Sequence, residues 1–541
     1  MTVSRDLFER LGALPASDQR DAMYAVCRDD LAVFCAYYFP ERFSSPFNLM
    51  HLDFLERGKA PWGERARQAK IADAAPRGGA KSTIESFASL AHDAVYGLEL
   101  YTTVISTTYD LSEDLVKDLH AVFTDPEGYA ELHADYGPIR VTGSKTDFVV
   151  HIPGQDARGA RFKAFSFGGS IRGTKHKGVR PSKVVIDDGE HPEKVRSPGQ
   201  RAKTWDYLTK DILKAGARHT VFRVVGTVLH PASMLAELLK SPAWRSTRWR
   251  SIIEWPDRMD LWQDCRRIWA DLTDEDREET ARTFYRRHRA DMDAGAVVLW
   301  PEEEPLYDLM VLLWSDGAAS FNSEKQNEPR DPTRQLFDVD GFRRCKWDGL
   351  STITTAEGRA VNLRACKVRI WLDPRASDEI ERNDYAAIAV VVEDPHGYRF
   401  VIMCQMRRST PAQQRADVWS VWQRFHHLDD VRVGYEDNGF QALNDEGFSR
   451  DKSERRRAQK PWKLPLKGYT STVNKDDRIA ALEPDVINGW IQFDEALPPE
   501  VTDQFRDFPG GAHDDGPDAI ERARWLLSGQ MGILTISGLG G

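Results

Sequence analysis

Ala75-Pro76-Arg77-Gly78-Gly79-Ala80-Lys81-Ser82-Thr83 is the stretch that decides how the first half of the chain is read. It follows the apolar run KIADAA and opens the helix-like STIESFASLAHDAVYG. A loop at such a junction can aim backbone N–H groups at an anion, because a helix N-terminus leaves its first N–H groups without partners. Gly78, Gly79 and Ala80 keep the backbone accessible, Lys81 offers a cation to the phosphates, and Ser82, with Thr83 beside it, offers a hydroxyl to Mg²⁺. The usual G-x-x-x-x-G-K-S/T spacing is broken, since Ala75 and Ala80 stand where glycines are expected. A Gly-rich turn without a ligand is the plain alternative.

Two later segments supply the context that a nucleotide site needs. Lys183-Val184-Val185-Ile186-Asp187-Asp188 is an apolar strand ending in acids, the arrangement that holds Mg²⁺ at a strand's C-terminal end. Glu190 and Glu193 follow, and either can polarise an attacking water. A third strand ends in Gly226-Thr227, with His230 beyond, where a small pair suits a sensor of the γ-phosphate. Taken singly, these are an acidic turn and a simple turn; their order makes them a site.

Outward from that core, YTTVIST, FVVHI, FKAFSF and TVFRVVGT alternate with helical stretches, which predicts an α/β domain around a largely parallel sheet. Residues 1–60 read as an N-terminal helical segment, 61–255 as the phosphate-loop domain, and 256–335 as a polar connecting subdomain. A second α/β pattern, KVRIWLD, YAAIAVVVED, YRFVIMCQM, a helix from Pro411 and VRVGYED, fills 336–529. The Gly-rich tail 530–541 reads as frayed.

The second pattern carries acids at matching places. Asp373 ends one strand, Glu436 ends another, and His513-Asp514-Asp515-Gly516-Pro517-Asp518 opens a helix. Carboxylates at two strand ends and one helix start can converge on two Mg²⁺ or Mn²⁺ ions that clamp a phosphodiester. Their order, strand Asp, strand Glu, helix Asp, is that of ribonuclease H-like nucleases. Asp378 and Asp384 are further candidates. The alternatives are a turn acid, an exposed Glu and helix-start charges favoured by the dipole.

Composition bounds the rest. The 541 residues suffice for two to four domains, and 41% hydrophobic with 29% charged residues describes a soluble globular chain rather than a disordered one. Six dispersed cysteines without a C-x-x-C pair exclude a disulfide scaffold and disfavour a zinc ribbon. The run Ala386 to Val392 is far short of the ~20 apolar residues of a membrane span. The charged N-terminus has no secretory core, so a cytoplasmic-type protein with no membrane partner is expected. A net charge of −10 gives no global basic field, so any DNA contact must be local. Two patches qualify: a loop holding Arg172, Lys175, Lys177 and Arg180, and RDKSERRRAQKPWK, with Arg455, Arg456 and Arg457. A solvated charge run is the alternative for each.

With PRGGAKST, VVIDDGEHPEKVRS, VVGTVLHPASM, FNSEKQNEP, IWLDP, VGYEDNGFQAL and HDDGPDAIERA in this order, the chain resembles the large terminase subunit of tailed double-stranded DNA bacteriophages. That resemblance implies an N-terminal P-loop ATPase domain of the ASCE type and a C-terminal ribonuclease H-like nuclease domain. It implies ATP and Mg²⁺ as cofactors, with Mn²⁺ an option in the nuclease. Arg77 would stabilise the γ-phosphate, Lys81 and Ser82 would bind phosphates and Mg²⁺, and Asp187 would be the Walker B acid with Asp188 adjacent. Glu193, then Glu190, would be the catalytic acid, and Gly226 and Thr227 would couple hydrolysis to movement. Pro46 to His51 resembles the adenine-contacting segment. Asp373, Glu436 and Asp515 match the nuclease acids, followed by Asp514 and Asp518. The implied partners are double-stranded DNA, a portal protein, a small terminase subunit and further copies in a pentameric ring at the procapsid in the host cytoplasm, with a monomer possible in solution. The rivals are a helicase-like ATPase with a repair nuclease and a non-catalytic prophage remnant that binds DNA or capsid.

Overall fold

Residues 16–56, 61–329, 335–374, 385–437 and 441–528 are described in a computed structural model. The candidate acids Asp378 and Asp384 and the tail 530–541 lie outside the described residues. The chain divides into two compact units, the described parts of Met1–Arg258 with Asp293–Asp331, and of Met259–Met292 with Pro332–Gly541.

Unit 1 is built on eight strands: β1 Ala69–Ala74, β2 Tyr101–Ser106, β3 Arg140–Ser144, β4 Asp147–His151, β5 Ala160–Ser166, β6 Lys183–Asp187, β7 Val221–Gly226 and β8 Arg245–Arg248. Their order is β3-β4-β5-β2-β6-β7-β1-β8. From β5 to β8 every pairing is parallel, and only the β3–β4–β5 edge is antiparallel. Strands buried on both faces read as continuous apolar runs rather than alternating ones. β7, buried along its whole length, follows this rule apart from Arg223, while the equally buried β2 keeps its apolar run at Val104-Ile105 between hydroxyl residues. Helices Leu31–Tyr38 and Leu49–Glu56 join this core, with Phe34, Cys35 and Met50 packed in one cluster with Ile84 and Phe87. A two-stranded ribbon, β9 Ile252–Glu254 and β10 Val297–Val298, completes the unit's strands.

Unit 2 carries β11 Arg344–Trp347, β12 Thr352–Thr354, β13 Ala360–Asn362, β14 Lys367–Asp373, β15 Ala386–Glu393, β16 Arg399–Arg407, β17 Val431–Glu436, β18 Leu466–Tyr469 and β19 Ile491–Asp494. They are ordered β13-β12-β11-β19-β16-β15-β14-β17-β18. The central meander β14–β15–β16 is antiparallel, and β17 and β18 extend it in parallel from β14. Helices cover both faces. Pro411–Phe425 buries Val418, Trp419 and Trp422 in one cluster, and Asp515–Trp525 buries Ala519, Ile520 and Ala523 in the other. The expected α/β class is observed in both units, one on a largely parallel sheet and the other on a mixed sheet.

The expected connecting subdomain, 256–335, is not a unit of its own. Its first part, the helices Met259–Trp269 and Arg277–Met292, belongs to unit 2. Beneath their polar surface runs an aromatic seam: Trp262 is buried with its indole N–H on the Met292 carbonyl (2.8 Å), and Trp269 lies 5.3 Å from Trp490. Its second part, with helix Leu306–Glu324, returns to unit 1. High charge on one face hid the apolar seam that decides where each part packs. Among the described residues, no helix is long and apolar enough to cross a membrane.

Candidate functional site

In unit 1 the pairing register sets the site. Ala74 sits opposite Gly226 and Asp187 opposite Val225, so β1, β6 and β7 end at one edge of the sheet. The phosphate loop begins there, tied by the Ala75 N–H to the Gly226 carbonyl (2.9 Å). Gly78 and Ala80 both take positive φ, +84° and +56°. The missing glycine at position 80 is thus replaced by an alanine holding a left-handed conformation, at a cost of roughly 1–2 kcal/mol. After Lys81 and Ser82 the helix opens into π-type turns, Thr83–Ala88.

Lys81, buried, reaches Thr227 Oγ1 and Asp188 Oδ2, both at 3.2 Å. Asp188 also accepts the Thr227 N–H (3.2 Å), and Thr227 Oγ1 lies 3.4 Å from the Ala75 carbonyl. Lysine, strand-end acid and Gly-Thr pair, distant in sequence, therefore form one hydrogen-bonded group. Asp187 sits beside it and accepts from Ser86 Oγ at 2.6 Å. Burial, then the charge of Asp188, pushes its carboxyl up to about 6, against hydrogen bonds from Ser86 and Ser82 and the charge of Lys81. Its Oδ1 is buried with no hydrogen-bond partner. An orphaned carboxylate oxygen beside the Ser82 hydroxyl fits a hard divalent cation arriving with a nucleotide.

The two oxygens of Glu190 accept the N–H groups of Met234 (2.7 Å) and Leu235 (3.0 Å), which engages this carboxylate at the start of the helix Met234–Lys240. Burial raises its carboxyl and these N–H groups oppose the rise. Glu193 is exposed at the start of the turn Lys194–Arg196. Arg77 is three-quarters exposed, 3.5 Å from Glu324. His51, at the end of the segment read as adenine-contacting, is buried against the loop. Its Nε2 lies 2.9 Å from the Gly79 carbonyl, which requires the proton on Nε2, while Nδ1 faces the Asn48 N–H at 3.4 Å. Sequence reading also left the EKQNE segment without a role. Lys325 Nζ donates to the Arg77 carbonyl (2.7 Å) and pairs with Glu304, and Asn327 accepts the Val228 N–H (2.9 Å). This segment ties the phosphate loop to the strand end that carries Thr227.

In unit 2, β14 and β17 run side by side, with Leu372 opposite Tyr435, so Asp373 and Glu436 end at the same edge. They line a cavity of about 370 Å³ with Ser471, Val473, Lys475, Arg478 and Asp518. The third acid facing this cavity is Asp518, 1% exposed, rather than the expected Asp515. Asp518 follows Asp514 by one helical turn, its N–H on the Asp514 carbonyl (3.0 Å), and that rotation turns it toward the strand ends. Burial, then Asp518, holds the Asp373 carboxyl well above the usual carboxylate range. Burial pushes Asp518 up to about 7 despite Arg478 and Lys475, and it raises Asp515 as well.

The sequence reading missed two cations inside this site. Lys475 contacts Asp514 (2.7 Å), Asp515 (3.4 Å) and Asp518 (3.8 Å). Arg478 bridges Glu436 (3.0 Å) and Asp518 (2.8 Å). Among the described residues, no three His, Cys, Asp or Glu side chains are grouped closely enough to hold an ion as they stand; the acids are joined through the two cations instead. The donors are still those of a hard-metal site, and Asp518 Oδ1 and Asp515 Oδ2 are buried without partners. The one available signal, Lys475 and Arg478 spaced i, i+3 in NKDDR, looks like a solvated helical turn because Asp476 and Asp477 lie between them.

The basic patches are partly committed elsewhere. The 170–180 loop is pinned: Arg172 pairs with Asp211 (2.7 Å), Arg180 donates to the Lys214 carbonyl (3.1 Å), and His176 is buried against the Arg158 carbonyl (2.9 Å). Lys175 and Lys177 face solvent. In the second patch Arg455 stacks over Trp419, 4.2 Å from its ring centre, whereas Arg456 and Arg457 are exposed near the end of helix Gln441–Arg457.

No family model and no curated protein matches this sequence. Similar solved structures include the large terminase of the thermophilic bacteriophage D6E, at 10% identity over 89% of this chain and 100% of that one, with a TM-score of 0.45. The HK97 bacteriophage large terminase is 13% identical over 92% of this chain and 98% of that one, TM-score 0.33. The human cytomegalovirus terminase nuclease domain is 14% identical over 30% of this chain and 84% of that one, TM-score 0.25.

Proposed function

We propose that this chain is a viral DNA-packaging motor protein of the large-terminase kind, hydrolysing ATP in unit 1 and cutting DNA in unit 2. The observation that carries the reading is the pair of sites on two sheets of one chain. One is the lysine, acid and threonine group at the ends of β1, β6 and β7; the other is the carboxylate cavity at the ends of β14 and β17.

In unit 1 the loop N–H groups and Lys81 would cradle the phosphates of ATP, and Ser82 and Asp187 would hold its Mg²⁺. Asp188 touches Lys81 at the loop, whereas Glu190 caps a helix, so Asp188 is the carboxylate best placed to orient the attacking water, with Glu193 its competitor. Loss of the γ-phosphate would release Lys81 back to Thr227 and Asp188, a change passed into β7 through Gly226. Arg77, at the rim, would add charge stabilisation.

In unit 2 divalent ions, when bound, would supply a hydroxide-like nucleophile and neutralise the cleaved phosphodiester. Asp373, Glu436 and Asp518, with Asp515 and Asp514 behind them, would hold them. Lys175, Lys177, Arg456 and Arg457 would grip DNA phosphates without reading bases. Packaging by such a chain implies a portal protein, a small terminase subunit and a homo-oligomeric ring, pentameric by resemblance, at the procapsid in the host cytoplasm.

Lys81→Ala should abolish ATP turnover and leave Mg²⁺- or Mn²⁺-dependent plasmid nicking intact, and Asp373→Asn should do the reverse. Turnover that survives Lys81→Ala, or nicking that survives Asp373→Asn, removes the corresponding half of the reading.

A further inference from the structure

The acidic cavity of unit 2 holds two cations of different kinds. Arg478 is 6% exposed and hydrogen-bonds Glu436 and Asp518, so it is part of the wall. Lys475 is 34% exposed. It is the first residue of the short helix Lys475–Ala480, whose cap Asn474 accepts the Asp476 N–H (2.8 Å), and it follows Val473, which is 57% exposed on the cavity rim. Its ammonium reaches inward and is shared among Asp514, Asp515 and Asp518. Oδ1 of Asp518 and Oδ2 of Asp515, on two of those acids, remain buried and unpartnered. The ammonium therefore neutralises the cluster while leaving two of its oxygens unsatisfied.

We propose that Lys475 is a tethered counter-ion that competes with divalent metal for this site, so that metal enters only as the ammonium swings out toward solvent. The proposal rests on the reading of unit 2 as a metal-dependent nuclease. Its physical basis is charge and reach. Five carboxylates, Asp373, Glu436, Asp514, Asp515 and Asp518, crowd one cavity and its border. Such a cluster needs cations nearby, because buried like charges repel and desolvation penalises each of them. A lysine is a compact charge on a flexible stem with three rotatable donors, so it can leave without unfolding its helix. A bidentate guanidinium buried as Arg478 is cannot. Arg478 thus acts as a positioning residue that keeps Glu436 and Asp518 aimed into the cavity while Lys475 comes and goes. One consequence is an enzyme that keeps its cutting site self-neutralised until metal, at sufficient concentration, displaces the lysine.

The test is Mn²⁺ binding to the full chain without DNA or nucleotide, followed by titration calorimetry and by electron paramagnetic resonance of free Mn²⁺. Lys475→Met keeps the stem and removes the charge, and it should bind Mn²⁺ at least about tenfold more tightly than wild type, the factor that corresponds to ~1.4 kcal/mol. Lys475→Arg keeps the charge and should bind no more tightly than wild type. Lys475→Gln serves in place of Lys475→Met if the latter melts early. Asp373→Asn is the control for the underlying reading and should lose the binding. Unchanged or weaker Mn²⁺ affinity in Lys475→Met, with binding lost in Asp373→Asn, overturns the counter-ion role and leaves the metal site standing. Wild-type binding in Asp373→Asn removes the metal site itself.

Discussion

Asp188→Asn separates the two acids competing to orient water in unit 1. The substitution keeps the shape of the side chain and an oxygen able to accept the Thr227 N–H, now at 3.2 Å, but removes the charge that faces Lys81. Asp188 is 48% exposed, so the Lys81 ion pair is screened and contributes about 1 kcal/mol or less. Nucleotide affinity should therefore change by less than about fivefold. Turnover should change far more. A positioned general base contributes roughly 10²–10⁴-fold, which is about 2.7–5.5 kcal/mol of barrier. Phosphate release at saturating ATP, measured alongside titration with a fluorescent ATP analogue, reads the two effects separately. Glu193→Gln, assayed in parallel, should retain most of the wild-type rate. Wild-type turnover in Asp188→Asn with slow turnover in Glu193→Gln would refute the assignment, because the acid touching Lys81 would then be only an electrostatic spacer.

Four further outcomes follow from the geometry. Ala80→Gly should raise the thermal midpoint of unit 1, since the relief of roughly 1–2 kcal/mol at φ +56° is only partly offset by the ~0.4–1 kcal/mol glycine adds to unfolded-state entropy; a lower midpoint would mean the loop is not strained there. Burial lowers the His51 imidazole below its ordinary value against the opposing Gly79 hydrogen bond, so the unfolded chain takes up this proton more readily than the folded one. Wild type should then lose stability as pH falls through 6.5, by at most about 1.4 kcal/mol per pH unit from this group. His51→Gln lacks that loss, so its deficit in urea midpoint should shrink as pH falls from 7.5 to 5.5, and a constant deficit would contradict the lowered imidazole. Arg456→Gln with Arg457→Gln should lower the salt slope of DNA binding by about 1 per lost phosphate contact, as measured by anisotropy at several salt concentrations. Arg455→Gln should instead destabilise unit 2 through its lost stacking on Trp419, by about 0.5–2 kcal/mol, with little change in that slope.

What the sequence determined by itself is what depends on near neighbours. β2, β6, β7, β14 and β15 are built around short apolar runs because they are largely buried, and the acids Asp187, Asp373 and Glu436 fall at strand ends where the chain leaves the core. The short strands β3, β8, β11–β13, β18 and β19 were not legible, since runs of three to five residues take their pairing from partners elsewhere in the chain. Tertiary structure alone decided the use of each charged group. Lys81 meets Thr227 across 146 positions of sequence, and Lys475 meets Asp515 across 40. It made Glu190 a helix cap and His51 a brace for the Gly79 carbonyl. It also turned Asp518 rather than Asp515 into the cavity and set Arg455 on an indole. The physical reason is that a charged side chain is compatible with solvent, metal, phosphate or a buried partner alike. Which of these it meets depends on distance and desolvation, and neither exists until the strands are in register and the helices have closed over them.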